Sequence, residues 1–237
     1  MRILAIEAST QEASCALLSG NALIERRLDP ALPSSETLLP AIERLLAEAG
    51  TGLSGLDAIA YGAGPGAFTG LRVAIGITQG LAFARDLPTV GVETLAAVAY
   101  EALAADPDAA GALAALDARM NEIYAAAYER QGDGLDQGLR RIGPITLASA
   151  SAVNLQACSA GWLACGNAAA AYPGFAARVA GFRASEIRLP RAAAVARLGA
   201  LALARGEGQA AELALPLYVR DRVAETVAER LAKGGRA

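Results

Sequence analysis

Apolar residues recur along this chain in two rhythms, a period of two and a period near 3.6, and their order predicts an α/β protein. Arg2–Glu7, Ser14–Ser19 and residues 21–28 read as three consecutive strands, the last two joined by a Gly20-Asn21 turn, so the chain opens antiparallel. Pro30 and Pro33 break that pattern. Leu38, Leu39, Ile42, Leu45, Leu46 and Ala49 then recur at helical spacing, with Ser34 or Ser35 as cap and Gly50 as stop. A strand at 57–63, a Gly/Pro turn, a helix to residue 85, a strand at 88–92 and a helix capped by Thr94 and running to residue 104 follow. The later pattern is less regular: a strand at 140–147, a helix at 149–159, a strand at 162–166, a helix at 191–205 with Ala194, Leu198, Leu201 and Ala202 inward, an extended piece at 216–220 and a charged, helical tail at 221–232.

After a change of composition at 106–111 the opening repeats. Ile3–Glu7 corresponds to Leu113–Asp117, Glu12 to Glu122, and Cys15–Leu18 to Ala125–Tyr128, all at an offset of 110 residues. Such a repeat predicts two related halves, 1–106 and 107–237, with the C-terminal segment able to pack back on the first and a cleft between them. Glu7 and Asp117 end equivalent strands and point toward that cleft, where paired acids suit a Mg-nucleotide site; alternatively each caps its own hairpin turn.

The turn at 62–70 is the richest in glycine. Gly62, Gly64 and Gly66 permit positive φ and close approach, while Thr69 and Gly70 open a helix whose N-terminus favours an anion. Gly64, Gly66, Thr69 and Gly70 therefore join Glu7 and Asp117 as nucleotide or anion candidates; the alternative is a tight corner without a ligand. Gly70-Leu71-Arg72 stands where a phosphate-binding P-loop needs Gly-Lys-Ser/Thr, and Lys233 is the sole lysine of the chain. The helix that follows is apolar nearly all round: Leu71, Ala74, Ile75, Thr78 and Ala82 form one face, Val73, Gly76, Ile77, Gly80 and Ala84 another. Such a helix must be covered on two sides, and small residues four apart let a second helix approach closely.

Composition narrows the chemistry. The 237 residues are 54% hydrophobic with a net charge of −3, an ordinary compact protein without the broad positive field of a nucleic-acid binder. Arg220, Arg222 and Arg230 make one local basic cluster, the kind of patch that any contact with RNA would need; the alternative is a solvated terminal helix. Glu7 interrupts what would be a signal peptide, and the charge-free stretch 142–177 is broken by Pro, Gly, Asn and Gln too often to span a membrane. Three cysteines without a CxxC pair fit a reducing cytoplasm. The chain has no histidine, so a His base, a Ser-His-Asp triad and a His-bearing zinc site are excluded within it.

Several stretches carry a resemblance: residues 2–7, Ala60–Arg72 (AYGAGPGAFTGLR), Gly91–Leu95 (GVETL), Leu116–Tyr124 (LDARMNEIY) and Pro216–Arg220 (PLYVR). Through them the whole chain resembles the bacterial TsaB (YeaZ) family of tRNA threonylcarbamoyladenosine biosynthesis proteins, with Glu7 where several relatives have Asp. The resemblance implies a duplicated ribonuclease-H-like (actin/Hsp70-like) α/β fold with two mixed sheets flanked by helices. It also implies a non-catalytic subunit, with no catalytic residue, metal or cofactor of its own, for modification of adenosine 37 in tRNAs that read codons starting with A. The expected partners are TsaD, the transferase, in a direct heterodimer; TsaE, an ATPase, in a ternary assembly; tRNA through that complex; and a second copy when the chain is alone. ATP and a metal ion belong to the partner subunits. Helices 36–49 and 70–85 are the expected contact, through Leu38, Ile42, Leu45, Arg72, Val73, Gly76, Ile77, Gly80 and Ala84. The competing reading is an independent ATPase or phosphotransferase of the same fold.

Overall fold

The computed structural model describes residues 1–132, 134–159 and 161–220. The first half contains β1 (Arg2–Glu7), β2 (Ser14–Ser19), β3 (Ala22–Arg27), α1 (Ser34–Glu48), β4 (Ala58–Gly64), α2 (Phe68–Phe83), β5 (Thr89–Glu93) and α3 (Thr94–Ala105). The second contains β6 (Gly111–Asp117), β7 (Glu122–Arg130), β8 (Leu139–Ser149), β9 (Leu163–Cys165), α4 (Ala168–Ala171), α5 (Pro173–Arg178), β10 (Arg183–Ala184) and α6 (Ala192–Ala204).

Each half forms a five-stranded sheet, in the orders β3-β2-β1-β4-β5 and β10-β9-β6-β7-β8. Read from the opposite edge, the second order is the first, with β6, β7, β8, β9 and β10 in the places of β1, β2, β3, β4 and β5. In both, the opening three strands pair antiparallel and the last two join in parallel. The repeat at 110 residues is therefore a duplication of topology, and the fold is the mixed-sheet α/β architecture the resemblance implies.

Alternation along the strands sorts their side chains into layers. Leu4 and Ile6 of β1 face a core shared with Leu38, Ile42 and Leu45 of α1 and Ala74 and Ala82 of α2. Ile3 and Ala5 face the opposite core, where Ala192, Val195 and Ala196 of α6 lie. In the second sheet Ala112, Ala114 and Leu116 meet Leu95, Val98 and Leu103 of α3, and Leu113 and Ala115 meet Ala168 and Phe175 beyond. The result is helix, sheet, helix, sheet, helix. α3 follows the first sheet yet covers the second; α6 follows the second yet covers the first.

Local expectations differ from the structure at the helix caps and at 149–159. Ser34 and Thr94 are first helical residues behind Pro33 and Glu93, and Thr69 is the second residue of α2 behind Ala67; none of these helices has a side-chain cap. The Thr94 hydroxyl is instead buried without a partner. No helix forms over the described part of 149–159, because β8 continues to Ser149 and the chain then turns with only Val153 buried. Residues 214–220 belong to no helix or strand, as an extended piece would, and the helical tail expected at 221–232 lies outside the described residues.

Candidate functional site

The Gly/Pro turn is built against the chain's own backbone. The Ala67 amide donates to the Ser9 carbonyl at 2.6 Å, and a Cβ on Gly66 would collide with that same carbonyl oxygen, as one on Gly70 would with the Ala8 carbonyl. Gly64 has a φ of +112°, and a Cβ there would stand 2.8 Å from the Leu217 carbonyl. These three glycines let β4, the β1–β2 turn and the 214–220 segment meet at close range. Thr69 is exposed at the start of α2.

Glu7 and Asp117 have different surroundings. Glu7 is fully buried: one carboxyl oxygen accepts from the Ser9 amide at 2.6 Å, the other has no partner and lies where a Cβ on Gly62 would stand. Burial pushes its carboxyl above the usual carboxylate range, against the lowering effect of the Ser9 bonds. Asp117 is partly accessible, and its Oδ1 accepts from the Tyr172 hydroxyl at 2.6 Å and the Arg119 amide at 2.8 Å. Its own amide donates to Asn167 Oδ1 at 2.8 Å. Burial, then the bond to Asp117, pushes the Tyr172 phenol up to about 12.

A cleft of about 100 Å³ does separate the halves, between Ser9–Gln11 and Pro65–Ala67 on one side and Asp117, Arg119, Tyr124 and Asn167 on the other. Asp117 and Gly66 therefore line it, whereas Glu7 is sealed beneath the β1–β2 turn and does not reach it. Among the described residues no three His, Cys, Asp or Glu side chains are grouped so as to hold a metal ion. Nor is any described helix long and apolar enough to cross a membrane.

The helix-borne candidates divide in two. Leu38, Ile42 and Leu45 are buried against the first sheet, so they form the layer beneath α1 and a partner cannot touch them. The spacing located that stripe but could not say which neighbour would take it. On α2, Arg72, Gly76, Gly80 and Ala84 are exposed, and Val73 and Ile77 are half-buried toward the same core. A Cβ on Gly76 or Gly80 would meet nothing within 4 Å. Phe83, at the end of this ridge, is 81% exposed, and Leu39 of α1 is exposed as well.

Sequence reasoning missed two features. Tyr172 occupies Asp117 from a loop with no periodic signal. Residues 214–220 run from the α2 side to the β6–β7 turn: Tyr218 stacks on Phe68 with ring centroids 5.8 Å apart, the Arg72 guanidinium lies 3.9 Å over the same ring, and Arg220 reaches Glu122 at 2.7 Å. The signal available was the motif PLYVR, which carries the resemblance and reads as an extended piece able to pack back on the first half, but names neither Phe68 nor Glu122 as its contact.

Comparison with known proteins places these features in a family. The model for TsaD, tRNA N6-adenosine threonylcarbamoyltransferase, matches residues 31–227. The Escherichia coli tRNA threonylcarbamoyladenosine biosynthesis protein TsaB is 36% identical over 227 residues, 94% of this chain and 96% of that protein. The Haemophilus influenzae TsaB is 41% identical over 137 residues, 55% of each chain. Two solved structures from Pseudomonas aeruginosa, one titled YeaZ and one described as similar to peptidase YeaZ, superpose with TM-scores of 0.79 and 0.81 at 36% and 38% identity, each covering 92% of this chain and 99% of its own. A duplicated mixed sheet, a glycine turn locked onto its own backbone and agreement over nearly the full length lead to one conclusion: the chain belongs to the TsaB (YeaZ) family, within the TsaD-like group.

Proposed function

We propose that this chain is a non-catalytic, cytoplasmic subunit in the formation of N6-threonylcarbamoyladenosine at position 37 of tRNAs reading codons that start with A, and that it pairs with TsaD through the outer face of α2. The observation that carries the reading is the open ridge Arg72, Gly76, Gly80 and Ala84, ending in exposed Phe83: a large apolar side chain and bare backbone on a helix whose other face is already buried. Leu38, Ile42 and Leu45 lie in the core on which α2 rests. In this reading TsaE joins the pair, tRNA is held by the assembly, ATP and metal belong to the partner subunits, and a second copy covers the same face when the chain is alone.

Support also comes from the cleft. An ATPase or phosphotransferase using paired acids needs both at the ligand, whereas Glu7 is sealed away and Asp117 is occupied by Tyr172 and Arg119. Reconstitution of adenosine modification from purified components tests the proposal, with this chain omitted and then restored. The reading expects modification to need the chain, and expects no ATP turnover by the chain alone. Gly80→Leu, which fills open space and leaves the fold intact, should lower TsaD pairing at least tenfold in calorimetry, about 1.4 kcal/mol. Normal pairing by the folded variant rules the α2 face out.

A further inference from the structure

We propose that residues 214–220 are a latch across the mouth of the cleft, fixed to the first half and fastened to the second by Arg220. This property belongs to the isolated chain and does not depend on the accessory role.

The first-half attachment is extensive. The Leu217 amide donates to the Ala63 carbonyl at 2.7 Å, Gln79 Nε2 to the Ala214 carbonyl at 3.0 Å, and the Tyr61 hydroxyl to the Leu215 carbonyl at 3.2 Å. Tyr218 adds its stack on Phe68. The hold on the second half is narrow. Val219 packs at the edge of the second-sheet core, and the Arg220 guanidinium donates to the Ala118 carbonyl at 2.9 Å, pairs with Glu122 at 2.7 Å and touches the Met120 sulfur at 2.8 Å. Its side chain is only 15% exposed, whereas that of Glu122 is 37% exposed, so the guanidinium is the sheltered end of the pair.

The residues that Arg220 grips form an unusual turn. Arg119, Met120 and Asn121 have φ of 62°, 53° and 62°, a run of left-handed conformations that side-chain-bearing residues rarely adopt together. Arg220 binds the carbonyl at one end of this turn and the carboxylate at the other. Beneath the strap a pocket of about 200 Å³ separates Pro65–Phe68 from Arg119 and Tyr124, so the two walls are bridged there by the strap. At the base the halves are joined separately: α3 is embedded in the second-sheet core, and the Tyr128 hydroxyl donates to Glu93 at 2.7 Å. A joined base, separated walls and one gripping side chain describe a hinge with a catch.

The test uses the full chain with Cys158→Ser, Cys15 and Cys165 being buried, and spin labels at two exposed positions, Gln11 in the first half and Ser151 in the second. Adding Arg220→Ala should shift the label distances to longer values and speed hydrogen exchange over residues 118–124 at least tenfold, while β1 and α3 keep their protection. Arg220→Lys, which keeps a cationic donor for the Ala118 carbonyl and Glu122, should draw the distances back toward the original distribution, and Arg220→Met, which keeps the bulk without a donor, should not. Unchanged distances in Arg220→Ala overturn the latch. So does equal loss of protection in β1 and α3, which marks general unfolding, and so does an Arg220→Met variant that keeps the original distances, which assigns the hold to bulk.

Discussion

A carboxyl group with one oxygen on the Ser9 amide and the other pressed against Gly62 is fully buried, so bulk solvent does not support its charge. Its folded-state pKa therefore lies above the ordinary 4.5. The sign of the linkage follows: below that value both folded and unfolded chains hold the proton and Glu7 costs nothing; as pH rises, the unfolded chain releases its proton first, and stability falls until the folded group ionises too. Glu7→Gln keeps the shape and the Ser9 bond but has no proton to lose. Thermal melts from about pH 4 to about pH 8 should show the variant matching the wild type at the acid end and exceeding it increasingly above. A wild type that keeps pace with Glu7→Gln over the whole range would mean that the carboxylate is charged and well supported. Sequence placed both acids at equivalent strand ends, and that much is legible from an apolar run ending in an acid. It could not tell the sealed one from the accessible one, because the difference is made by Gly62 on the neighbouring strand β4 and by Tyr172, 55 residues beyond Asp117.

At the scale of elements, the period-two and period-3.6 patterns located every β-strand and α-helix of the first half, and the departures lie where a neighbour decides the outcome. Serine and threonine near a helix start are good caps in isolation, yet these helices begin where Pro33, Ala67 and Glu93 leave an extended backbone, so the hydroxyls fall inside the first turn. α6 shows the same limit in a different form. Its sequence is almost entirely alanine, leucine and valine, and nothing in it marks Gly199 as special. In the fold, a Cβ at Gly199 would run into the Ala60 Cβ of β4, so this glycine sets how closely α6 lies on the first sheet. Gly199→Val should therefore destabilise the protein by about 1–3 kcal/mol, through overpacking. Gly76→Ala, which meets open space and favours helix, should be neutral or stabilising in the same urea titrations. Equal midpoints for both variants would mean that α6 is free to shift away from β4.

The repeat divides the chain near residue 106, but the helices do not respect that division. α3 leaves the first sheet to fill the core of the second, and α6 returns from the second half to cover Ile3, Ala5, Ala16, Ala58 and Ala60. Sequence similarity between the halves could reveal that they share a topology; it could not reveal this exchange, since a helix's apolar face is the same whichever sheet it meets. The energetic consequence is that neither half owns a complete core. A fragment of residues 1–106 would expose the α6 side of its sheet, and with five strands' worth of apolar surface uncovered, at about 25 cal/mol per Å², it loses much of what opposes chain entropy. The fragment alone should lack a cooperative thermal transition, and mixing it with 107–237 should restore one, because each supplies the helix that the other is missing. The intact chain should unfold in a single step by circular dichroism and by the fluorescence of Trp162, which stands against Gly111 at the start of β6. Two separated transitions in the intact chain, or a sharp transition in the isolated fragment, would mean that each sheet is stable without the helix lent by its counterpart.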